Sequence, residues 1–488
     1  MRAARPGPSA LLLALLGASR VASASAAPDA PPASGADSAR VAAGAALDPA
    51  PTGPASLEPS AGVPWNPPRH LSSSEPWEAA VRFPGRVVSL PLVTLGAATD
   101  RLMLTLETRG LLGGALGGPT RNAHPPGSPL RSSFNRLPIL PPIGLSIAPP
   151  RVGSRTGVGA TVVVNPPWAG GLLEADFSAT TLHYHRTLLS AVRGPGIASY
   201  SYEWRPQDQF YGLGSLASES DRSSYAAWSR QVRLELGYPW KPGTSRRRGA
   251  AARAWVGSRE QVLSRGRESG APSFDQIFPT LASSTLDRPY ENLLYGARLS
   301  YDGRRGAPHW SRGLRVAYQA ERVDDAPDAL RLGAASGPSS APAEFSHQII
   351  EIETGFGIMR DPRTARLAIR IVDTDYGGDI ARMQIPDLAT LGAGAGLAGF
   401  RVGRYHDLDS AVGKLTYIIP LARRMELDLH AEAGHVYRSV WDDLQPKTMR
   451  KTVGAALRLR TKDRVLGWLG LDWSRESRRL AFDFQGER

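Results

Sequence analysis

The chain has 488 residues and no cysteine, and its formal net charge is +13. The lack of cysteine excludes disulfide bonds and thiolate metal sites. A positive charge of this size raises the question of nucleic acid, but the basic residues are scattered singly and form no basic tract. We predict that no nucleic acid is bound and that the arginines face a polar lumen, acidic lipopolysaccharide or the periplasm.

The N-terminus has the pattern of an export signal. Arg2 and Arg5 form a positive region, residues 11–16 form a short apolar core, and Ala24, Ser25 and Ala26 fit a cleavage site. An apolar run this short cannot span a bilayer as a helix, which takes roughly 20 residues. The sequence therefore predicts a signal peptide over residues 1–26 and an exported protein.

Composition divides the rest of the chain into three segments. Residues 27–75 are rich in Ala, Pro, Ser and Gly, and so few large apolar residues cannot offset the entropy of ordering, which predicts a disordered tether. Residues 76–136 carry one apolar stretch followed by a Pro/Gly-rich stretch, and we expect a short periplasmic segment there. From residue 137 to residue 488 the apolar residues recur at every second position, which predicts strands.

The period of two is clearest in residues 226–238, where Leu234 and Leu236 alternate with Arg233 and Glu235. Segments of about 10 to 15 residues match tilted strands that cross a bilayer. Charges of both signs on one face suit a water-filled or plugged lumen. Backbone polar groups must be paired inside a membrane, so a chain without long apolar helices can cross it only as a closed barrel. A soluble exported β-protein is the alternative.

Sixteen candidate strands run from residues 139–148 to residues 477–484. Links at residues 421–423 and 462–463 are short, whereas links at residues 266–288, 324–344 and 376–407 are long. Such alternation predicts periplasmic turns and extracellular loops. The predicted fold is all-β, a transmembrane antiparallel β-barrel of 16 strands. Aromatic residues expected at the bilayer interfaces are Trp228, Tyr238, Trp255, Tyr417, Trp468 and Trp473.

Two glycine-aromatic segments carry a family resemblance. The link at residues 376–407 contains a loop motif formed by Leu397, Ala398, Gly399, Phe400, Arg401, Gly403 and Arg404. A second motif, placed before a mid-barrel strand, consists of Phe210, Tyr211, Gly212 and Gly214. From residue 137 to the C-terminus the pattern resembles the bacterial surface antigen family, the barrel half of the BamA/TamA outer-membrane superfamily.

The resemblance implies that the long loop folds into the lumen and contacts the inner wall. Ala398 stands where the family has arginine, and Glu432 stands where it has aspartate. We therefore expect Arg401 or Arg404 to pair with Glu432. Asp428 and Glu426 are expected on the same inner face. Near the C-terminus, the pattern of Leu480, Phe482 and Phe484 resembles the signal by which barrel substrates are recognised for insertion.

The family implies a monomeric barrel that assists protein or lipid insertion or translocation at the bacterial outer membrane. Its partners would be outer-membrane lipid, lipopolysaccharide and client membrane proteins, and its mechanism a weak seam between the first and last strands. Prolines at 138, 141, 142, 149 and 150 predict a short first strand. Only residues 77–108 look structured between the signal peptide and the barrel, too little for a POTRA module. A passive pore or structural surface protein without insertase activity is therefore the alternative.

Enzymatic chemistry is not predicted. No G-x-S-x-G nucleophile elbow occurs in the sequence, and the glycine pairs lie between strands with no following helix. His183 and His185 share one strand face, but two histidines alone are a weak metal signal. We expect no catalytic residue, no cofactor and no metal.

Overall fold

The computed structural model describes residues 137–140, 143–148, 159–169, 172–238, 249–304, 312–327, 344–358, 363–378, 380, 383–393, 396–422, 425–460 and 465–483. The predicted signal peptide, tether and periplasmic segment lie outside these residues and stay predictions, as does the position of Phe484. Across the ranges given above, no helix is long and apolar enough to span a membrane.

The described residues are mostly strand, with three short helices. The strands are β1 (Leu137–Leu140), β2 (Leu145–Ala148), β3 (Gly159–Val164), β4 (Leu173–Thr180), β5 (His185–Arg193), β6 (Gly196–Phe210), β7 (Ser223–Tyr238), β8 (Gly249–Arg265), β9 (Pro289–Asp302), β10 (Gly313–Asp325), β11 (Phe345–Gly357), β12 (Thr364–Asp375), β13 (Ala389–Leu391), β14 (Tyr405–Asp407), β15 (Asp409–Ala422), β16 (Met425–Tyr437), β17 (Arg450–Arg460), β18 (Val465–Ser474) and β19 (Arg478–Asp483). The helices are α1 (Phe274–Ile277), α2 (Pro279–Thr285) and α3 (Val440–Asp443).

One antiparallel sheet contains 17 of these strands. Each strand pairs with the next along the chain, from β1 with β2 to β18 with β19. β12 pairs directly with β15, because β13 and β14 form a separate hairpin within the link between them. No pairing joins β1 to β19 within the described residues, so the sheet is open there. The predicted all-β antiparallel fold is confirmed, whereas closure of the barrel is not observed.

The predicted count of 16 strands is wrong by one. The segment predicted as the first strand, residues 139–148, contains the end of β1 and all of β2, which pair as a hairpin with Leu140 opposite Leu145. Gly144 has a φ of +69°, and a Cβ there would collide with the backbone carbonyl of Asn165. Pro141 and Pro142 could not donate to a strand ladder. The turn that contains Gly144 divides one long predicted strand into two strands of 4 residues each.

Alternate links lie on the same edge of an antiparallel sheet. The links at residues 211–222, 266–288, 326–344, 376–408, 438–449 and 475–477 therefore share one edge, which we call the loop edge. The opposite edge carries the short links at residues 194–195, 423–424 and 461–464, and also two links of ten residues, 239–248 and 303–312. The three long links of the sequence prediction lie at the loop edge and its two short links lie at the opposite edge, as predicted.

The two faces of the sheet have the reverse of the polarity found in soluble β-proteins. On β16, Asp428 and Glu432 are 1% and 4% exposed, whereas Leu429 between them is 40% exposed. On β7, Leu234 and Leu236 are 55% and 64% exposed. A soluble sheet buries its apolar face and exposes its charged face. The observed arrangement, charged inside and apolar outside, is the one expected of strands in lipid.

Charged residues of the inner face pair with one another across neighbouring strands. Arg458 of β17 pairs with Asp428 of β16. His430 Nδ1 lies 3.1 Å from Asp428 Oδ1, and His430 Nε2 lies 2.8 Å from Asp472 Oδ1 of β18. Buried charges are tolerated when they are paired in this way. The network connects β16, β17 and β18 on their inner face.

Two aromatic residues predicted at a bilayer interface, Trp468 and Trp255, lie on the inner face instead. Trp468 stands opposite the buried Arg458 and on the same side of β18 as the buried Asp472. Trp255 is 6% exposed, and its Nε1 donates to Glu321 Oε2 at 2.8 Å. The guanidinium carbon of Arg233 lies 4.3 Å from the Trp255 ring centroid. Its neighbour Val256 takes the outward position. The predictions for Trp255 and Trp468 are therefore wrong, while Tyr238 is 58% exposed on the apolar face.

Candidate functional site

The link between β12 and β15 packs against the inner face of the sheet, as the resemblance implies. We call residues 376–408 the inward loop. Its buried apolar residues belong to three separate clusters. One joins Ile380, Met383 and Leu388 to side chains of β9, β10 and β11; a second joins Ile385 to side chains of β6, β7 and β8; a third joins Leu391, Leu397, Phe400 and Tyr405 to Val436 of β16. The inward loop thus contacts strands from the middle of the sheet to its C-terminal part.

The loop motif makes a tight turn. Leu397 has a φ of +60° and Gly403 a φ of +65°. The N–H of Phe400 donates to the carbonyl of Leu397 at 2.9 Å. A Cβ on Gly399 would lie 2.9 Å from Thr452 Cγ2 and 3.0 Å from the Trp473 carbonyl carbon. Glycine is therefore required at 399, because the backbone of the motif approaches β17 and β18 this closely.

Glu432 contacts the loop motif, but not through an arginine. Its Oε2 accepts the backbone N–H of Ala398 at 2.6 Å, and its Oε1 lies 3.0 Å from Lys414 Nζ. The expectation that Arg401 or Arg404 pairs with Glu432 is wrong. With alanine at 398 there is no side-chain donor at that position, and the backbone N–H takes its place.

Arg404 instead connects three parts of the chain. Its guanidinium carbon lies 5.0 Å from the ring centroid of Tyr211 and 4.6 Å from that of Tyr405. Its Nε lies 2.8 Å from Glu476 Oε2, and the hydroxyl of Tyr405 donates to Glu476 Oε1 at 2.7 Å. We call these four residues the Arg404 clamp. A guanidinium held between two rings and bonded to a carboxylate is a strong local contact.

Arg401 and Arg404 also share an acid on the link between β6 and β7. Arg401 Nη1 lies 2.8 Å from Glu219 Oε1, and Arg404 Nε lies 3.6 Å from Glu219 Oε2. Glu219 is half-exposed, so the pair with Arg401 adds little stability by itself. Its effect is to place both arginines over the β6–β7 link.

The second motif meets the inward loop directly. Phe210 and Tyr211 are fully buried, and Gly212 and Gly214 have φ values of +100° and +82°. The N–H of Gly214 donates to the carbonyl of His406 at 2.8 Å. The Phe210 ring lies 5.2 Å from the imidazole of His406. Since Arg404 also lies over the Tyr211 ring, the two motifs noticed in the sequence are in contact, although nearly two hundred residues separate them along the chain.

The last hairpin of the sheet is attached to the same loop motif. The hydroxyls of Ser474 and Ser477 donate to the carbonyl of Gly399 at 3.0 and 2.5 Å. Arg479 Nη1 donates to the carbonyl of Ala398 at 3.4 Å. The sequence does not predict these contacts, since no local pattern marks Ser474, Ser477 or Glu476.

Burial sets the protonation of the residue at the centre of this region. Desolvation lowers the pKa of His406 to about 3, so the ring is neutral at neutral pH. Burial also raises the pKa of the neighbouring Asp407 carboxyl. The inward loop thus presents an uncharged imidazole to Phe210.

The other predicted site residues take no part in the loop-motif contacts described above. Glu426 and Asp428 are 2% and 1% exposed on the inner face of β16, and Asp428 pairs with Arg458. Leu480 and Phe482 of β19 are 67% and 68% exposed on the apolar face. A group of three or more His, Asp or Glu suited to a metal is not found within the ranges that the structure covers.

Comparisons with known proteins give similarity of fold alone. No protein-family model matches the chain, and no curated protein matches it. Among solved structures it is similar to BamA from Haemophilus ducreyi lacking POTRA domains 1–3, with 12% identity over 71% of this chain and 68% of that chain and a TM-score of 0.46.

Two further similar structures are both CdiB proteins. CdiB from Acinetobacter baumannii shares 12% identity over 70% of this chain and 56% of that chain, with a TM-score of 0.41. CdiB from Escherichia coli shares 13% identity over 71% of this chain and 62% of that chain, with a TM-score of 0.43. The chain spans less than two thirds of the length of either CdiB chain.

Replacing Glu432 with glutamine tests the contact between loop and wall. Glu432→Gln keeps the shape but removes the charge that accepts the Ala398 N–H and pairs with Lys414. Loss of a charged hydrogen bond of about 1.5 kcal/mol corresponds to about tenfold more of the opened loop. We expect trypsin to cleave the folded protein faster at Arg401 and Arg404. Glu351→Gln, which changes a carboxylate paired with Arg298 at 2.6 Å, is the control. Equal cleavage of both variants would contradict this role of Glu432.

Replacing Arg404 with lysine tests the Arg404 clamp. Lysine keeps the charge but lacks the planar guanidinium that lies between Tyr211 and Tyr405 while bonding Glu476. We expect amide hydrogen exchange in residues 474–477 to rise by about tenfold, the change produced by losing about 1.4 kcal/mol. Arg401→Lys, in the same motif but paired with half-exposed Glu219 and not with Glu476, should leave that exchange nearly unchanged. An Arg404→Lys protein with wild-type exchange in the turn would show that the clamp does not hold the hairpin.

Proposed function

We propose that this chain is a bacterial outer-membrane β-barrel of the BamA/TamA surface-antigen type. Its role would be to assist the insertion or translocation of protein or lipid at that membrane. The observation that carries the proposal is the inward loop, which is hydrogen-bonded both to the link after β6 and to the last hairpin. The sheet that it contacts has its charged face inward and its apolar face outward. The proposed work is a change of strand pairing and needs no catalytic group.

The proposed location rests on the polarity of the sheet. Outward side chains exposed by half or more include Leu299, Tyr301, Leu415, Val453, Leu469, Leu480 and Phe482. So much exposed apolar surface is unfavourable in water and favourable against acyl chains. With the loop edge at the cell surface and the shorter turns in the periplasm, the strands would cross the bilayer.

The proposed mechanism uses the open edge between the first and last strands. β1 has 4 residues and β19 has 6, so neither offers a long ladder to the other. An unpaired edge can accept an added strand from a client through main-chain hydrogen bonds. The contacts of Ser474, Ser477 and Arg479 with the loop motif place the inward loop on the hairpin that borders this edge. Movement of the hairpin would therefore disturb its hydrogen bonds with the inward loop.

The alternative of a passive pore is less well supported. The inward loop contributes eight residues to three buried apolar clusters on the inner face of the sheet. Such packing obstructs the lumen, whereas a conducting pore needs a wide polar passage. The proposal therefore assigns the loop to gating and anchoring.

Depletion in the native host tests the proposed function. We expect loss of a specific set of outer-membrane proteins or surface lipids in a quantitative census, restored by the wild-type gene. The second arm restores the gene with one cysteine in β1 and one in β19, in a chain that has no other cysteine. This variant should rescue when reduced and fail when oxidised. An unchanged census after depletion, or full rescue by the oxidised variant, would contradict the proposal.

A further inference from the structure

A large cavity opens at the loop edge beside the Arg404 clamp. Its volume is about 1060 Å³, and we call it the loop-edge cavity. It lies between the β16–β17 link, the β6–β7 link and the β18–β19 turn, with Phe400 of the loop motif at its base. A space of this volume accommodates a ligand far larger than a single inorganic ion.

Positive charge dominates the lining of the loop-edge cavity. Five basic residues contribute to its lining: Arg438, Lys447, Arg450, Lys451 and Arg475. The carboxylates in its lining are Asp407, Asp443 and Glu476. Two of these carboxylates already have partners. Asp407 Oδ1 lies 3.3 Å from Arg438 Nε, and Glu476 is bound in the Arg404 clamp.

Most of the cations are free to meet a ligand. Lys447, Lys451 and Arg475 are exposed, and none of them forms an ion pair with another residue in the described part of the chain. One carboxylate, Asp443, remains to balance them. A concave surface with such an excess of one charge concentrates ligands of the opposite charge.

Arg450 is held in place at the floor of the cavity. Its Nη2 donates to the carbonyl of Ser215 at 2.7 Å, and its guanidinium carbon lies 5.6 Å from the ring centroid of Tyr405. Its Nε is buried and has no hydrogen-bond partner among the residues described. A guanidinium positioned in this way suits an oxyanion, because its planar set of N–H donors fits phosphate.

We propose that the loop-edge cavity binds phosphate groups carried on a glycan, as on the phosphorylated sugars of lipopolysaccharide. Several separated cations call for several anionic groups on one ligand. Ser215, Gln445 and Thr448 supply neutral polar atoms in the same lining, which suit sugar hydroxyls. The choice of a cell-surface glycan rests on the proposed outer-membrane location, which would expose the loop edge to that surface.

Calorimetric titration of the full chain folded in detergent micelles tests this inference. The probe is the deacylated, phosphorylated core oligosaccharide of lipopolysaccharide. Comparison ligands are the same oligosaccharide after phosphatase treatment and inorganic pyrophosphate. We expect binding of the phosphorylated oligosaccharide that weakens with added salt, and at least several-fold weaker binding of both comparison ligands.

Two triple variants with the same change in net charge locate the site. Lys447→Gln, Lys451→Gln and Arg475→Gln together should weaken binding by about tenfold, because three exposed ionic contacts are lost. The control combines Arg265→Gln, Arg267→Gln and Arg288→Gln, which are exposed near the loop edge but do not line the cavity. The control should bind within about twofold of wild type.

Three outcomes would overturn the inference: no binding of the phosphorylated oligosaccharide, equal weakening by both triple variants, or pyrophosphate binding as tightly as the oligosaccharide. The last would identify a site for free phosphate anions. Urea extraction of membranes separates this result from the proposed function. If the triple cavity variant stays in the membrane pellet but binds the phosphorylated oligosaccharide normally, only the inference is contradicted. If urea releases the wild-type protein, the proposed location is contradicted.

Discussion

Charge on the inner face of the sheet is the constraint on which the rest of the structure depends. A buried charge is costly unless a partner or water satisfies it. β16 alone places Glu426, Asp428 and Glu432 on that face, each at most 4% exposed. On the neighbouring strands, Arg458 pairs with Asp428 and Lys414 pairs with Glu432. The backbone N–H of Ala398 in the inward loop also donates to Glu432. The inward loop therefore supplies a hydrogen-bond donor to a buried carboxylate of the inner face. It also packs apolar side chains against that face.

The Arg404 clamp extends this arrangement from the wall to the ends of the sheet. Arg404 touches Tyr211 on the β6–β7 link and Glu476 on the last turn, and both lie at the loop edge. One side chain of the inward loop thus joins the middle of the sheet to its final hairpin. Since β19 is not paired with β1 in the described structure, this contact is one of the restraints on the last hairpin from inside. That is why the proposed function assigns the loop a part in strand opening.

Much of the sheet could be predicted from alternation, and the limits have physical causes. β12 (Thr364–Asp375) could be predicted, because Leu367, Ile369 and Ile371 alternate with Arg366 and Arg370 along it. The β1–β2 hairpin was not predicted, because its turn depends on a left-handed Gly144 close to Asn165. Trp255 was placed on the wrong face, since an aromatic ring suits a lipid interface as well as a stack against Arg233.

The candidate site was predictable only in part. The loop motif and the second motif were recognisable as glycine-aromatic patterns, and Glu432 was expected opposite the loop. Their mutual contact through Tyr211 and Arg404 could not be predicted from the local sequence. The partners of Arg404 were not predictable either, because Glu476 reaches it only after strands β15 to β19 have been laid side by side.

The central claim is that the sheet carries its charged face inward and its apolar face toward lipid. Spin labels on single cysteines along β7, in a chain with no native cysteine, test it most directly. In liposomes, labels at Val232, Leu234 and Leu236 should collide with dissolved oxygen, which concentrates in the bilayer. Labels at Gln231, Arg233 and Glu235 should show low oxygen contact and greater contact with a water-soluble nickel chelate. A reversed pattern, or uniform water contact at all six positions, would contradict the account.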